Sequence, residues 1–402
     1  MKKILEGIKV VDWSQWHAGP QAAALLGDLG ADVYHLEHKG VGDQYRGMIS
    51  VGGIPANLPQ GPHLLFEGVN RNKRGLALDL SKPSGKEILN RLVKTSDVFL
   101  TNIETDTMSR FGLDYPTLCE INPQLIYAWS TPYGDRGPDA DMPGFDPLFQ
   151  SRGGVMACIG PDDDPCMGPA FIADEMAGVM LAYAVLGALL ARERYGIGQE
   201  VRCSGMASAM QLVYQHLNVY LLSGREIPKN SRQKPNIATF NYYKCKDGAW
   251  ITVAAHRDMD WAPLCRALGM PELATDAEYD TMMKRLPKAV ELTKILDEAF
   301  AKKTRPEWIE RLKDEHIPHA PVNTISDMVL DPQVLDNDYI IDYHHPLLGD
   351  IKVFGYPWQF SRTPAERTRP APEVGQHNEE ILTEICGYTW DDIGRFQEEG
   401  VI

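Results

Sequence analysis

Residues 9–37 read KVVDWSQWHAGPQAAALLGDLGADVYHLE. Lys9–Asp12 is a short apolar run suited to a buried strand. Pro20–Leu29 carries proline in its first turn and is followed by Gly30, the punctuation of a helix start and stop. Asp32–Glu37 returns to strand character. Strand, helix and strand in one short span spell a βαβ unit, the connection that joins parallel strands.

The alternation continues downstream. Leu76–Leu80 (LALDL) reads as a third strand. Ser84–Thr95 is amphipathic, with Ile88, Leu89, Leu92 and Val93 on one face. Val98–Thr101, a helix at Tyr115–Asn122 and a strand at Leu125–Ser130 follow. The pattern predicts an α/β fold with a Rossmann-like large domain: a mostly parallel sheet covered by helices on both faces. No GxGxxG or GxxxxGK[ST] accompanies it, and the first turn reads HAGPQAA, which argues against a dinucleotide or P-loop function.

The middle of the chain changes character. Gly144–Gly168 is rich in Gly, Pro and Asp and is expected to be irregular. Met176–Ala191 is uncharged for 16 residues, short of the roughly 20 a membrane span needs. Asp174–Glu175 and Arg192–Glu193–Arg194 flank it, so the expectation is a helix buried on all sides. Glu200–Ser204 suits a strand and Ala207–Leu222 a helix. Glu226–Pro235 reads as a linker. Beyond it, Phe240–Lys244 and Trp250–Ala254 form a hairpin about Asp247–Gly248. Helices at Trp261–Leu268, Lys288–Lys302 and Pro306–Glu315 complete a smaller α+β domain over 230–325. A strand at Ile351–Phe354 and a helix around Asn378–Gly387 are expected in the tail.

At 402 residues the chain is too long for one ordinary core. Its net charge of −15 makes it a poor ligand for nucleic acid or an anionic membrane, so neither is an expected partner. An anionic ligand would need a local cationic patch. Seven cysteines with no CxxC pair suit reduced thiols in the cytoplasm. The N-terminus has no signal-peptide pattern. The pairs His316/His319 and His344/His345 lack a third partner at ligand spacing, so no metal site is expected. GxSxG, the elbow of serine hydrolases, is absent.

Asp174, in FIADEMAG, precedes the apolar helix. It suits a helix cap. The same geometry also suits a reactive carboxylate kept ionised at a helix start and faced by amides able to steady an oxyanion, although from the residues alone the cap is the favoured reading. Gln15 and His17 follow the first strand, where open α/β sheets bind ligands. Arg46, Lys73–Arg74 and Arg110 are the cationic candidates, with Lys73 and Arg74 placed just before a strand in NRNKRG. Trp13, Trp16 and Trp129, with Met167, Met176 and Met180, hint at an apolar or aromatic pocket.

These stretches together resemble the class III CoA-transferases, the group that includes the carnitine, bile-acid, phenyllactate and formyl-CoA:oxalate enzymes. The resemblance runs from LEGIKVVDWSQWHAGPQAAALLGDLGADVYHLEHKGVGDQYRG through NRNKRGLALDLSKPSGKEIL, SDVFLTNI, RFGLDYPTLCEINPQLIYA and PGFDPLFQSRGGVM. It continues in IADEMAGVMLAYAVLGALLARERYGIGQEVRCS and APEVGQHNEEILTEICGYTWDDI. It implies a transferase acting on an acyl-CoA and a free carboxylic acid, with Asp174 as nucleophile, a mixed anhydride and an aspartyl-CoA thioester. Coenzyme A is then a co-substrate, and no metal or redox cofactor is implied. Gln15, His17, Ala18 and Tyr133 fall near the acyl end. His38, Asn72, Lys73, Arg74, Asn102, Ile103 and Arg110 fall on the CoA side, with His38 in place of an arginine seen in some members. Residues 229–243, KNSRQKPNIATFNYY, lack the glycine-rich loop of formyl-CoA transferase. The resemblance also implies an interlaced homodimer whose large domain joins 1–225 to 326–402.

Two alternatives accompany it. An α-methylacyl-CoA racemase would need a histidine where this chain has Phe145, and phenylalanine cannot exchange a proton. A non-catalytic acyl-CoA-binding subunit would have no use for Asp174. The nucleophile's role requires an ionised carboxylate, so a large upward displacement of its pKa would count against it.

Overall fold

The computed structural model describes residues 2–160, 164–229 and 231–402. Asn230 of the expected linker and residues 161–163 of the Gly144–Gly168 stretch lie outside them. The chain divides into two compact units. The larger combines Met1–Met156, Met167–Glu226 and Ile341–Ile402. The smaller combines Ala157–Cys166 with Ile227–Ile340, so it runs past the expected 325 and takes in a short earlier segment.

The larger unit begins with β1 (Lys9–Trp13), α1 (Ala18–Asp28) and β2 (Asp32–His38). A small hairpin of β3 (Ser50–Val51) and β4 (Ile54–Pro55) precedes α2 (Leu64–Asn70). Then come β5 (Lys73–Leu78), α3 (Pro83–Lys94), β6 (Val98–Thr101), α4 (Thr105–Phe111), α5 (Tyr115–Ile121) and β7 (Ile126–Thr131). α6 (Asp146–Arg152) and α7 (Val155–Cys158) lead to the long α8 (Ile172–Tyr195), β8 (Gln199–Ser204), α9 (Gly205–Leu212) and α10 (Tyr214–Ser223). Six strands pair in the order β5-β2-β1-β6-β7-β8, and every pairing is parallel.

Both faces of this sheet are covered, as parallel sheets require. Ile88, Leu89, Leu92 and Val93 of α3 pack on one face with Ile381 and Phe396 of the tail. Ala22 and Leu26 of α1 and Leu181 and Val185 of α8 pack on the other. The free edge of β5 is closed by side chains rather than by another strand. Gly75 N–H donates to His377 Nδ1 and Ala77 N–H to Asn378 Oδ1, which removes two exposed donors from the edge.

Four local expectations change. β5 starts at Lys73, not Leu76: Lys73 pairs with the buried Asp12, and Arg74 with the partly exposed Asp32 and Glu380. Gly144–Gly168 is not wholly irregular, since α6 and α7 lie in it. The helix expected over Ala207–Leu222 is broken at Val213 into α9 and α10. α8 is not buried on all sides: Val179, Tyr183, Leu190 and Tyr195 stand exposed. It is long and apolar enough to meet the length and composition of a membrane span, yet Ala173, Ala177, Gly178, Leu181, Ala182, Val185, Ala188 and Leu189 pack inside the unit.

The smaller unit pairs β9 (Phe240–Lys244), β10 (Trp250–Ala254) and β11 (His319–Pro321) in an antiparallel sheet. Gly248 turns the expected hairpin at φ +82°. The helices α11 (Asp258–Leu268), α12 (Met282–Arg285), α13 (Ala289–Phe300) and α14 (Arg305–Asp314) accompany it. Its core holds Tyr243, Trp261, Phe300 and Trp308.

Candidate active site

The sheet order reverses at β1: β2 lies on one side of it and β6 on the other. The carboxyl ends of β1 and β6 therefore form the crevice where ligands of such sheets bind. Two expected residues are locked together there. Gln15 N–H donates to Asn102 Oδ1 at 2.9 Å, and Asn102 Nδ2 donates to the Gln15 carbonyl at 2.7 Å. Ile103 follows, its carbonyl accepting from Trp129 Nε1. α1 begins at Ala18, and no side chain caps its first amides. Tyr133 lies just past the carboxyl end of β7, edge-on to Phe149.

His17 is buried beside this crevice. Its Nδ1 lies 3.0 Å from Tyr45 Oη and its Nε2 2.8 Å from Glu175 Oε1. Its ring stacks on Phe171 with centroids 4.9 Å apart and planes 6° apart. α8 thus meets α1 through its first turn. Their backbones approach closely: a Cβ on Gly178 would come within 3.1 Å of the Ala18 carbonyl oxygen. Glycine is needed there for contact, not for its dihedral freedom.

Asp174 sits in that first turn and is half-buried. It does not cap the helix. The cap position is Phe171, in the left-handed region at φ +68° and without a capping side chain of its own. Asp146 supplies the cap from α6: its Oδ1 accepts from Ala173 N–H at 2.8 Å and from Asp174 N–H at 3.3 Å. The α8 amides expected to face an oxyanion are therefore already occupied. The uncapped start of α1 offers donors in their place.

The carboxyl of Asp174 is also not held charged. Burial pushes its pKa up to about 7, against the pull of His17 and with a further push from Asp146 and Glu175. This overturns the expectation of a permanently ionised group and meets the condition set above as counting against Asp174, so the role is confined to the fraction of enzyme in which the carboxyl is ionised. A carboxyl titrating near 7 is about half ionised at neutral pH, and a catalytic group works best with its pKa near the working pH. Strong perturbation by burial and named neighbours is a mark of functional sites.

The cationic candidates do not gather as expected. Lys73 is fully buried, its Nζ 2.7 Å from both Asp12 Oδ2 and Asn70 Oδ1. Arg74 is paired with Asp32 and Glu380 and lies over the Tyr34 ring. Asn72, at φ +61°, donates to Asp28 Oδ1 and the Glu366 carbonyl and accepts from Thr368 and Arg369. All three belong to the amino end of β5, although the buried Lys73 ammonium reaches Asp12 near the carboxyl end of β1. Arg46 forks onto Glu37. By contrast, His38 at the carboxyl end of β2 and Arg110 on α4 are exposed. Arg110 and Lys86 both flank the Phe111 ring, at 5.3 and 5.8 Å, and Phe111 meets Trp13 edge-on. Lys86 was not legible as a candidate, because on sequence it is one of many polar positions on an amphipathic helix. A groove of about 410 Å³ lined by Thr131, Met180, Arg202 and Ser204 opens at the ends of β7 and β8 and does not include Asp174.

Comparison with known proteins shows the family. The family model described as CoA-transferase family III matches residues 5–378. A succinyl-CoA:glutarate CoA-transferase from Mus musculus is 32% identical over 401 residues, covering 100% of this chain and 90% of that protein. A (R)-2-hydroxy-4-methylpentanoate CoA-transferase from Clostridioides difficile is 31% identical over 402 residues, covering 99% of each. The crystal structure of a CAIB/BAIF family protein from Brucella suis superposes with a TM-score of 0.84 at 30% identity, covering 96% of this chain and 100% of that one. On a family match over residues 5–378 and relatives of this identity and coverage, the chain belongs to CoA-transferase family III.

Proposed function

We propose that this enzyme moves coenzyme A from an acyl-CoA thioester to a free carboxylic acid through covalent intermediates on Asp174. The observation that carries the reading is the placement of Asp174: half-buried in the first turn of α8, beside His17, with its own amide already bonded to Asp146. A desolvated carboxylate is a stronger base and nucleophile than one in water.

One Asp174 oxygen attacks the thioester carbonyl. The C–S bond breaks, leaving a mixed anhydride and CoA thiolate. The thiolate attacks the aspartyl carbonyl, so the donor acid departs as carboxylate and an aspartyl-CoA thioester remains. The acceptor carboxylate attacks that thioester, giving a second mixed anhydride and thiolate again. Thiolate attack on the acceptor's acyl carbon releases the new acyl-CoA and regenerates the Asp174 carboxylate. No proton or electron is consumed. The uncapped amides at the start of α1 support stabilisation of the developing oxyanions. His38, Lys86 and Arg110 suit the phosphates of CoA better than Lys73 and Arg74, which already have buried or half-buried carboxylate partners.

The test is to trap the intermediate. Incubated with acyl-CoA and then digested, the enzyme is expected to carry CoA on the peptide containing Asp174, seen by mass spectrometry and discharged by hydroxylamine. Repeated turnover with no adduct on that peptide would remove Asp174 as the nucleophile.

The same reading includes a homodimer. None of the α10 residues is buried: Tyr220, Leu221 and Leu222 stand exposed, as do Val179, Tyr183 and Leu190 of α8. Apolar side chains in such number mark an interaction surface, and a second copy of this chain is the occupant proposed. Light scattering is expected to give twice the 44.9 kDa chain mass, and Leu221→Glu with Leu222→Glu is expected to yield monomer or aggregate. A monomeric wild type would overturn this. Free thiols at Cys119, Cys203, Cys245, Cys265 and Cys386 support a reducing compartment such as the cytoplasm.

A further inference from the structure

Two bulky aromatic residues beside Asp174 hold backbone conformations that favour glycine. Trp16 has φ +65° and Phe171 φ +68°. A side chain of that size is strained there, and such strain persists where the surrounding structure enforces it, commonly at functional sites. Phe171 is accounted for by its stack on His17. Trp16 is not. Its backbone N–H is tied to Asp43 Oδ1, and its ring lies 5.8 Å from Tyr45 and 6.3 Å from Phe145. Phe145 is 55% exposed, although it immediately precedes the aspartate that caps α8. Trp16 and Phe145 thus meet edge-to-face as an accessible aromatic corner next to the reacting carboxylate.

The charges of this corner have one sign. Asp146, Asp174 and Glu175 lie together, and the first and last each push the pKa of Asp174 upward. The basic groups here are committed: His17 Nε2 is hydrogen-bonded to Glu175, and Arg46 is paired with Glu37. A substrate bearing a second carboxylate would place it against an aromatic corner and beside the carboxyls of Asp146 and Glu175, without an unengaged arginine or lysine among these residues to receive it.

We infer that the acids served at Asp174 are monocarboxylic acids with an apolar branched-alkyl or aryl body, selected by Trp16 and Phe145, and that dicarboxylic acids are disfavoured. The inference rests on the CoA-transfer reading above. It is independent of the order of covalent steps.

The test uses the full-length wild-type enzyme with 4-methylpentanoyl-, 3-phenylpropanoyl-, succinyl- and glutaryl-CoA, each paired in turn with the other three free acids, and the CoA products measured by mass spectrometry. The kcat/KM for the two apolar acids is expected to exceed that for the two dicarboxylic acids by about tenfold or more, the discrimination an apolar pocket provides. That ratio is expected to fall toward one in Phe145→Ala and in Trp16→Gly. The glycine variant relieves the left-handed backbone, so its melting temperature separates lost selectivity from lost folding. Equal or better use of succinate and glutarate by the wild type, or a ratio unmoved in both variants, overturns the inference while the transfer reading stands. Failure to move CoA in any pairing overturns both.

Discussion

Asp174→Asn is expected to abolish CoA transfer and, above neutral pH, to leave a protein more stable than the wild type. The loss of activity follows from removing the nucleophile, for which a fall of at least about 10⁴-fold in kcat is the scale. The gain in stability follows from the carboxyl's raised pKa. An unfolded aspartate titrates near 3.8, and the folded one near 7. Below pH 4 both states hold the proton and the side chain costs nothing through ionisation. Between 4 and 7 the unfolded state loses its proton first, which favours unfolding. Above 7 the penalty is complete. Three pKa units correspond to about 4 kcal/mol at most. For a half-buried group screened by solvent, about 1–2 kcal/mol is the realistic gain. Asparagine keeps the shape without the charge, so its melting temperature should exceed that of the wild type at pH 8, with the difference shrinking as the pH falls toward 3.8. The wild-type kcat/KM should rise tenfold per pH unit below 7 and level off above. An equal loss of stability at high and low pH would instead make Asp174 a structural residue, and a kinetic inflection near 4 would remove the desolvation argument.

The features legible in the sequence were those written in local periodicity. The βαβ alternation stands in Lys9–Glu37 because strand and helix periods and their Pro and Gly punctuation act over a few residues. Gln15, His17 and Asn102 were placeable because the carboxyl ends of parallel strands share one edge of the sheet. What failed was written in distant partners. Lys73 and Arg74 read as a loop patch because nothing near them in sequence announces that Asp12 and Asp32 lie across β1 and β2 to receive them. Asp146 was visible only as part of PGFDP, and the two α8 amides it caps lie 27 and 28 residues away. That remote cap allows Asp174 to occupy the first turn without capping the helix itself. The uncovered face of α8 was invisible for a similar reason. An apolar helix reads as buried, and the sequence does not say which molecule buries it.

Lys73 separates the inherited expectation from the observed structure most sharply. As a CoA ligand, it would lose phosphate affinity on substitution while the fold remained intact. As the structure has it, Lys73→Met should chiefly destabilise. The ammonium is fully buried between Asp12 and Asn70, and burial lowers its pKa despite the adjacent carboxylate. Asp12, also fully buried, has its pKa raised by burial but more than offset by Lys73 and His35, and its other oxygen accepts from Ser14 Oγ. Removing the lysine leaves that carboxylate with hydrogen bonds from His35 and Ser14 but without its ammonium, and breaking a buried pair from one side costs about 3–5 kcal/mol. For a unit of this size that is a fall of roughly 10 °C in melting temperature. Because Asp12 precedes Ser14 and Gln15, the strain would reach the carboxyl end of β1, and some loss of kcat would accompany it. The KM for acyl-CoA of the folded variant should stay within about threefold of the wild type, since Lys73 Nζ offers no exposed surface to a phosphate. Pairing the change with Asp12→Asn should recover much of the lost stability, because replacing both charges removes the uncompensated one. An unchanged melting temperature with a KM raised tenfold or more would reverse the assignment and return Lys73 to the CoA site.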